Sequence, residues 1–281
     1  MTSDLIKVKD LLTTRGCSDR TISNYISCLN RFKKHFDGKE VKDLNEADIL
    51  TYLKENFIDL GLSAATYNIN RAAIRYYYLV NHNKKFLKEL LPYCKIKNRF
   101  PILITKEAFV KMLNSESNLE HKVWLLLGYG SGLRVSEVAS LKISDISSKQ
   151  SKIKIIGKGN KERYVPLPKI TLKFLRMYWH QNKDKIKGDY LFPGLHSNKT
   201  HIATYTIQQA FAKSKRNNRL NSTMTFHTLR HSFATEYIKD KGNVWELRLI
   251  MGHSHVNTTM MYLHMAKDFK NVKTPLDGIS L

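Results

Sequence analysis

The stretch Ile153-Lys-Ile-Ile-Gly-Lys-Gly-Asn-Lys-Glu-Arg-Tyr-Val-Pro-Leu167 decides the fold class, because it carries the one clear β signal in a chain whose other patterns are helical. Ile153–Ile156 and Arg163–Leu167 are rich in β-branched and aromatic residues and flank the Gly-containing turn Gly157–Glu162, the pattern of an antiparallel hairpin. Pro166 and Pro168 cannot donate ladder hydrogen bonds, which places the second strand near a sheet edge. On either side apolar residues recur at spacings of three and four. Helices are expected after Thr105, over Leu119–Tyr129, and then over Thr171–Trp179, Thr204–Ser214, Thr228–Ile238, Val244–Met251 and Asn257–Met265. The expected fold is mainly α, with a small antiparallel β-hairpin or sheet inside an α-rich second domain.

The first 90 residues read as four helices. Asp4–Arg15 carries Leu5, Ile6, Val8, Leu11 and Leu12 and stops at Gly16. Ser18 caps a second, with Ile22, Tyr25, Ile26, Leu29, Phe32 and Phe36 on one face. Asn45 precedes a third, with Ile49, Leu50, Leu53 and Phe57 inward and Gly61 closing it. Ser63 caps a fourth, whose stripe of Tyr67, Ile74, Tyr77 and Tyr78 is interrupted by Asn70. Periodicity breaks between Asn81 and Pro101, where Pro92 and Lys95-Ile-Lys-Asn-Arg99 suit a basic linker. The expected division is an all-α domain over 1–90, a linker over 91–101 and a second domain over 102–281.

The 281 residues hold 47 Lys and Arg against 24 Asp and Glu, a formal net charge of +23, while 42% hydrophobic and 10% aromatic residues are normal for a folded chain. Intrinsic disorder therefore does not account for the charge. Residues 1–100 carry 18 basic and 11 acidic side chains and the rest 29 and 13, so both parts face a polyanion, the second more strongly. A membrane is the poorer candidate. Val123–Leu133, the longest nearly uncharged apolar run, is far shorter than the roughly 20 residues a spanning helix needs. Met1-Thr-Ser-Asp-Leu-Ile-Lys7 lacks a secretory signal pattern, and three cysteines, Cys17, Cys28 and Cys94, without C-x-x-C spacing suit a reducing, cytoplasmic setting. No internal repeat is visible.

Taken singly, the polar residues of the second domain are ambiguous. Arg134, in Gly130-Ser-Gly-Leu-Arg-Val-Ser-Glu137, is either a first-turn helix residue paired with Glu137 or a fork for a phosphate. Lys158 sits between two glycines at the hairpin tip, as a surface turn or as a cation projecting into a groove. His227 and Arg230 share a helix face, and His253 in Met251-Gly-His-Ser254 lies at a helix end. Tyr262 alone reads as packing. His227 and His231 are four apart, but Thr228 stands where a zinc protease needs Glu, and no Asp or Glu occurs between Asp189 and Glu236. No metal and no cofactor is expected.

Jointly, Arg134, Lys158, His227, Arg230, His253 and Tyr262 make one chemical sense. Transfer of a phosphodiester builds negative charge on the phosphoryl oxygens, which two Arg and one His can stabilise without metal. Tyr262 can attack as a covalent nucleophile, Lys158 can protonate the leaving oxygen, and His227 can take the tyrosyl proton. Five segments carry a resemblance here: Gly132-Leu-Arg-Val-Ser-Glu137; Gly157-Lys-Gly-Asn-Lys-Glu-Arg163 with Val165-Pro-Leu167; His227-Thr-Leu-Arg-His-Ser-Phe-Ala-Thr235; Met251-Gly-His-Ser254; and Thr258-Thr-Met-Met-Tyr262. In this order they resemble the motifs of the tyrosine recombinases, or phage integrase family. Thr21-Ile-Ser-Asn-Tyr25 and Thr66-Tyr-Asn68 with Arg71 are loosely similar to its helical, SAM-like core-binding domain.

The resemblance implies that Arg134, Arg230 and His253 contact the scissile phosphate, that Lys158 is the general acid and His227 its acid/base partner, and that Tyr262 forms a 3′-phosphotyrosyl link. It further implies strand exchange through a Holliday junction, without ATP or metal, by a homotetramer on two DNA sites or a heterotetramer with a related recombinase. The substrate would be double-stranded DNA with an inverted-repeat core site, in integration, excision or resolution of a mobile element or replicon. The length is similar to short Xer-type and integron-type members, and Lys273-Thr-Pro-Leu-Asp277 resembles the ending of integron-type and some transposon-borne members. Arg71 and Arg75, four apart on one helix, are the expected DNA-facing pair in the first domain, with Lys161 and Arg163 holding phosphates beside Lys158 and Glu137 supporting Arg134. Leu263, Met265 and Leu276 dock either on a neighbouring protomer or within the chain. A type IB topoisomerase or hairpin-forming resolvase would use similar residues, and a DNA-binding regulator would use the scaffold without the chemistry.

Overall fold

The computed structural model describes residues 2–84, 91–95, 100–157, 161–195 and 197–266. The chain divides into two compact units, Met1–Asn98 and Arg99–Leu281. The first is helical: α1 Ser3–Thr14, α2 Asp19–His35, α3 Glu46–Leu53 and α4 Ala64–His82. Caps written in the sequence start three of these helices. Ser18 Oγ accepts from the Thr21 N–H, Ser63 Oγ from Thr66, and Asn45 forms a reciprocal box with Asp48. Leu5, Val8, Leu29, Phe32, Ile49, Leu53, Ile74 and Tyr78 close its core. Asp4 cross-links α1, α2 and α4, accepting from Lys33 at 2.7 Å and from the Tyr77 hydroxyl at 2.6 Å. Burial alone would raise its pKa, but those donors hold the carboxyl well below the usual range. Of the four residues expected inward, Ile49, Leu53 and Phe57 are buried and Leu50 is exposed; α3 passes at Lys54 into a wider π turn.

In the second unit, α5 Lys106–Ser115, α6 Leu119–Gly130 and the short α7 Val135–Ala139 precede the sheet. After it come α8 Lys169–Asn182, α9 Thr204–Asn217, α10 Phe226–Lys241, α11 Val244–Met251 and α12 Asn257–Ala266. Val123 to Leu127 are buried all round, making α6 the central core helix. Gly128 lets α10 approach it: a Cβ there would stand 2.9 Å from the Phe226 ring. Among the described residues no helix is long and apolar enough to cross a membrane.

The hairpin forms where the sequence places it. β2 Lys152–Ile156 pairs antiparallel with β3 Glu162–Pro166, and β3 is an edge strand. Two additions were not legible. β1 Ile146–Ser147 extends the sheet to the order β1-β2-β3, and β4 Pro193–Gly194 pairs with β5 Ser197–His201. Two residues cannot display a period of two, and β5 is mostly exposed and polar, so neither leaves an alternating pattern. Ile153, Ile155 and Val165 put one face of the hairpin in the core, and β3 runs beside α11.

Candidate active site

Backbone carbonyls organise the cations. Gly132 takes φ +66°, and a Cβ on it would lie 2.5 Å from Phe233 Cδ1, so only glycine makes this turn. The turn offers the Gly132 carbonyl to Arg230 and sets Arg134 at the start of α7. Gly252, at φ +62°, ends α11 and leaves its last carbonyls open. The Met251 carbonyl accepts from Arg230 and, at 3.2 Å, from Arg134, while the Ile250 carbonyl accepts from Arg163 Nε at 2.8 Å. Three guanidiniums thus converge on the negative end of one short helix.

Glu137 is the carboxylate among them. It accepts from the Arg134 N–H at 2.9 Å, Arg134 Nη1 at 2.8 Å and Arg163 Nη2 at 2.7 Å. Burial raises its pKa, yet Arg163 first and then Arg134 bring it down to about 2. Arg230 is 1% exposed. Burial foremost, then Arg134, push it down to about 9, still cationic at neutral pH. Three guanidiniums against one carboxylate leave net positive charge, and Arg134, with its side chain 35% exposed, opens onto a groove also lined by Ser136, Lys161, Arg248 and His253. A singly charged phosphodiester fits this balance.

The remaining groups are neutral. His253 Nδ1 lies 2.9 Å from the buried Thr259 Oγ1, which fixes the ring; burial, then Arg230 and Arg134, lower its pKa to about 4. His227 is exposed, yet desolvation, followed by Arg230 and Arg134, lowers its pKa too. Tyr262, on α12, is 1% exposed and packs among Phe233, Ala234, Leu247 and Met251. Its ring lies nearly parallel to His253 at 6.4 Å, and its hydroxyl meets His231 Nδ1 at 2.8 Å. Burial raises the phenol to about 12 against the opposing pull of Arg230 and Arg134.

The structure therefore gathers Arg134, Glu137, His227, Arg230, His253 and Tyr262 in one unit. Lys158, with the hairpin tip, lies outside the described residues, as do Leu276 and the segment at Lys273–Asp277. Leu263 and Met265 pack against the α10–α12 core within the chain. Lys161 is exposed at the groove. The Arg163 side chain, 9% exposed, donates to Glu137 and to the Ile250 carbonyl, contacts that buttress the cluster. Arg71 is buried, and its Nε donates to the Leu91 carbonyl, tying down the end of the first unit. Arg75 is half-buried. His231 and Thr259 were missed as site residues. Spacing on α10 put His231 near His227, but its partner Tyr262 comes from another helix. Among the described residues no three His, Cys, Asp or Glu side chains come together as metal ligands would.

Comparison with known proteins accords with this geometry. Residues 104–268 match the phage integrase family, and residues 5–86 match the phage integrase N-terminal SAM-like domain. A Sinorhizobium fredii protein named as an integrase/recombinase is 31% identical over 92% of this chain and 83% of its own length. The tyrosine recombinase XerD of Shewanella oneidensis is 28% identical over 92% of this chain and 90% of its own. Two solved structures share the fold: the XerH recombinase in a post-cleavage complex with palindromic difH, with TM-score 0.74, 22% identity and coverage of 90% and 78%; and a lambda integrase dimer on a COC′ core site, with TM-score 0.74, 18% identity and coverage of 98% of each chain.

Proposed function

The chain belongs to the phage integrase family as a site-specific tyrosine recombinase that cleaves and rejoins DNA, and from that premise we propose that Tyr262 is its nucleophile and Arg134, Arg230 and His253 its phosphate-binding groups. The observation that carries this reading is the convergence of Arg134 and Arg230 on the Met251 carbonyl, with His253 and Tyr262 in the same cluster. Their cationic donors stabilise charge as it develops on the phosphoryl oxygens. Tyr262 Oη attacks phosphorus, the bond to the 5′ oxygen breaks, and a 3′-phosphotyrosine forms. Lys158, assigned by its place in the motif, gives its proton to the departing 5′ oxygen, and His227 assists proton transfer. Attack by a 5′-hydroxyl from a partner duplex reverses the step, so the number of phosphodiesters is conserved without ATP or metal.

The substrate is double-stranded DNA bearing an inverted-repeat core site. A homotetramer on two sites, or a heterotetramer with a related recombinase, performs paired exchanges through a Holliday junction. Residues 1–90 form the core-binding domain, 91–101 the linker and 102–281 the catalytic domain, working in the cytoplasm on a mobile element or replicon. Lys161 contributes phosphate contacts at the groove, and Arg75 in the first domain. A nicked duplex carrying the core site tests the chemistry, because loss of a short fragment traps the covalent complex. Parent protein in EDTA should give a band resistant to denaturation and Tyr262→Phe none; equal trapping by both would exclude Tyr262.

A further inference from the structure

We infer that His231 is a positioning residue for the nucleophile, accepting the Tyr262 hydroxyl proton in a hydrogen bond that sets where the attacking oxygen sits. The inference rests on Tyr262 being the nucleophile, and it concerns a side chain to which that chemistry gives no role. His231 Nδ1 stands 2.8 Å from Tyr262 Oη. The phenol is 1% exposed, and among the described residues Nδ1 is the recorded hydrogen-bond partner of its hydroxyl. A buried O–H left without an acceptor costs more than an unused phenolic lone pair, so we assign the proton from oxygen to the neutral ring nitrogen.

The surroundings keep His231 able to accept. Burial first, then His227 and Arg230 beside it on α10, lower its pKa to about 4, so it is neutral at physiological pH. The His227 ring packs edge-on at 4.5 Å. From the other elements, Tyr262 on α12 faces it directly, while His253, after α11, and Arg134, before α7, bear on the Tyr262 side. The α10 backbone beneath is braced as well, since the Thr235 hydroxyl donates to the His231 carbonyl at 3.0 Å. The hydroxyl is thereby held while Arg230 and Arg134 still act on it. A tyrosine free to rotate would lose that fixed placement, which is worth orders of magnitude in rate when reacting atoms must be aligned.

The test uses the nicked core-site duplex at saturating protein and follows the single-turnover rate of covalent trapping. His231→Ala should trap at least 10-fold more slowly than parent while binding the duplex with unchanged affinity. His231→Asn, whose Oδ1 replaces Nδ1 as an acceptor but cannot take a proton, should recover to within about 5-fold of parent. The His231→Ala rate should also rise more steeply with pH, as phenolate forms without an acceptor. Trapping by His231→Ala at or above the parent rate would overturn the inference, the faster result marking His231 as a restraint on Tyr262. An Asn variant as slow as the Ala variant would overturn it too. Absence of trapping by the parent, or trapping by Tyr262→Phe, would instead remove the nucleophile assignment.

Discussion

Glu137 is the residue on which the cation cluster depends. Its carboxyl takes donors from both Arg134 and Arg163 and lies 3.8 Å from Arg230. Its folded pKa of about 2 lies below the ordinary 4.5, so the stability it confers is present above pH 4.5 and is lost as pH falls towards 2. The size is about 3 kcal/mol. Glu137→Gln should lower the melting temperature at pH 7, and the gap to parent should narrow by pH 3; an equal gap at both would contradict the ion-pair account. The sequence made Arg134, His227, Arg230, His253 and Tyr262 legible, because residue type and order suffice to mark them. It did not reveal that Arg163 faces Glu137 or that Arg71 is buried. An arginine next to other cations looks like a phosphate ligand until its acceptors are known, and two of them, the Ile250 and Leu91 carbonyls, are backbone atoms that any residue would supply.

At the scale of elements, the end of α11 and the turn before α7 are the structural devices that make the site. Gly132→Ala should destabilise the protein by about 1–3 kcal/mol, since it combines left-handed backbone with overlap on Phe233. It should also slow covalent trapping, because the Gly132 carbonyl orients Arg230; a variant with parent stability and trapping would show that the turn tolerates a side chain. Helices were readable from period and caps, and Ser18, Asn45, Ser63, Thr105 and Asn118 all accept from the first turns as their types suggest. The central hairpin was equally readable. The strands at Ile146–Ser147 and Ser197–His201 were not, since their existence depends on partners brought alongside by the fold.

Over the whole molecule, each unit closes its own hydrophobic core. Residues 100–281 produced alone should therefore melt cooperatively and bind the core site more weakly than the full chain; a non-cooperative melt would show that the second core is incomplete. The net charge of +23 predicts an affinity that falls linearly in log–log form with salt, and Lys161→Ala should reduce that slope by about one. A slope unchanged in Lys161→Ala would remove it from the phosphate contacts. The sequence by itself determined the mainly α class, the hairpin, the family motifs in order and the charge that requires a polyanion, because each is written in residue type and spacing. Only the tertiary structure decided which carbonyls and which carboxylate each arginine meets, and that His231 Nδ1 lies against the Tyr262 hydroxyl. Those relations join α7, β3, α10, α11 and α12, and depend on acceptors whose positions exist only once the chain has folded.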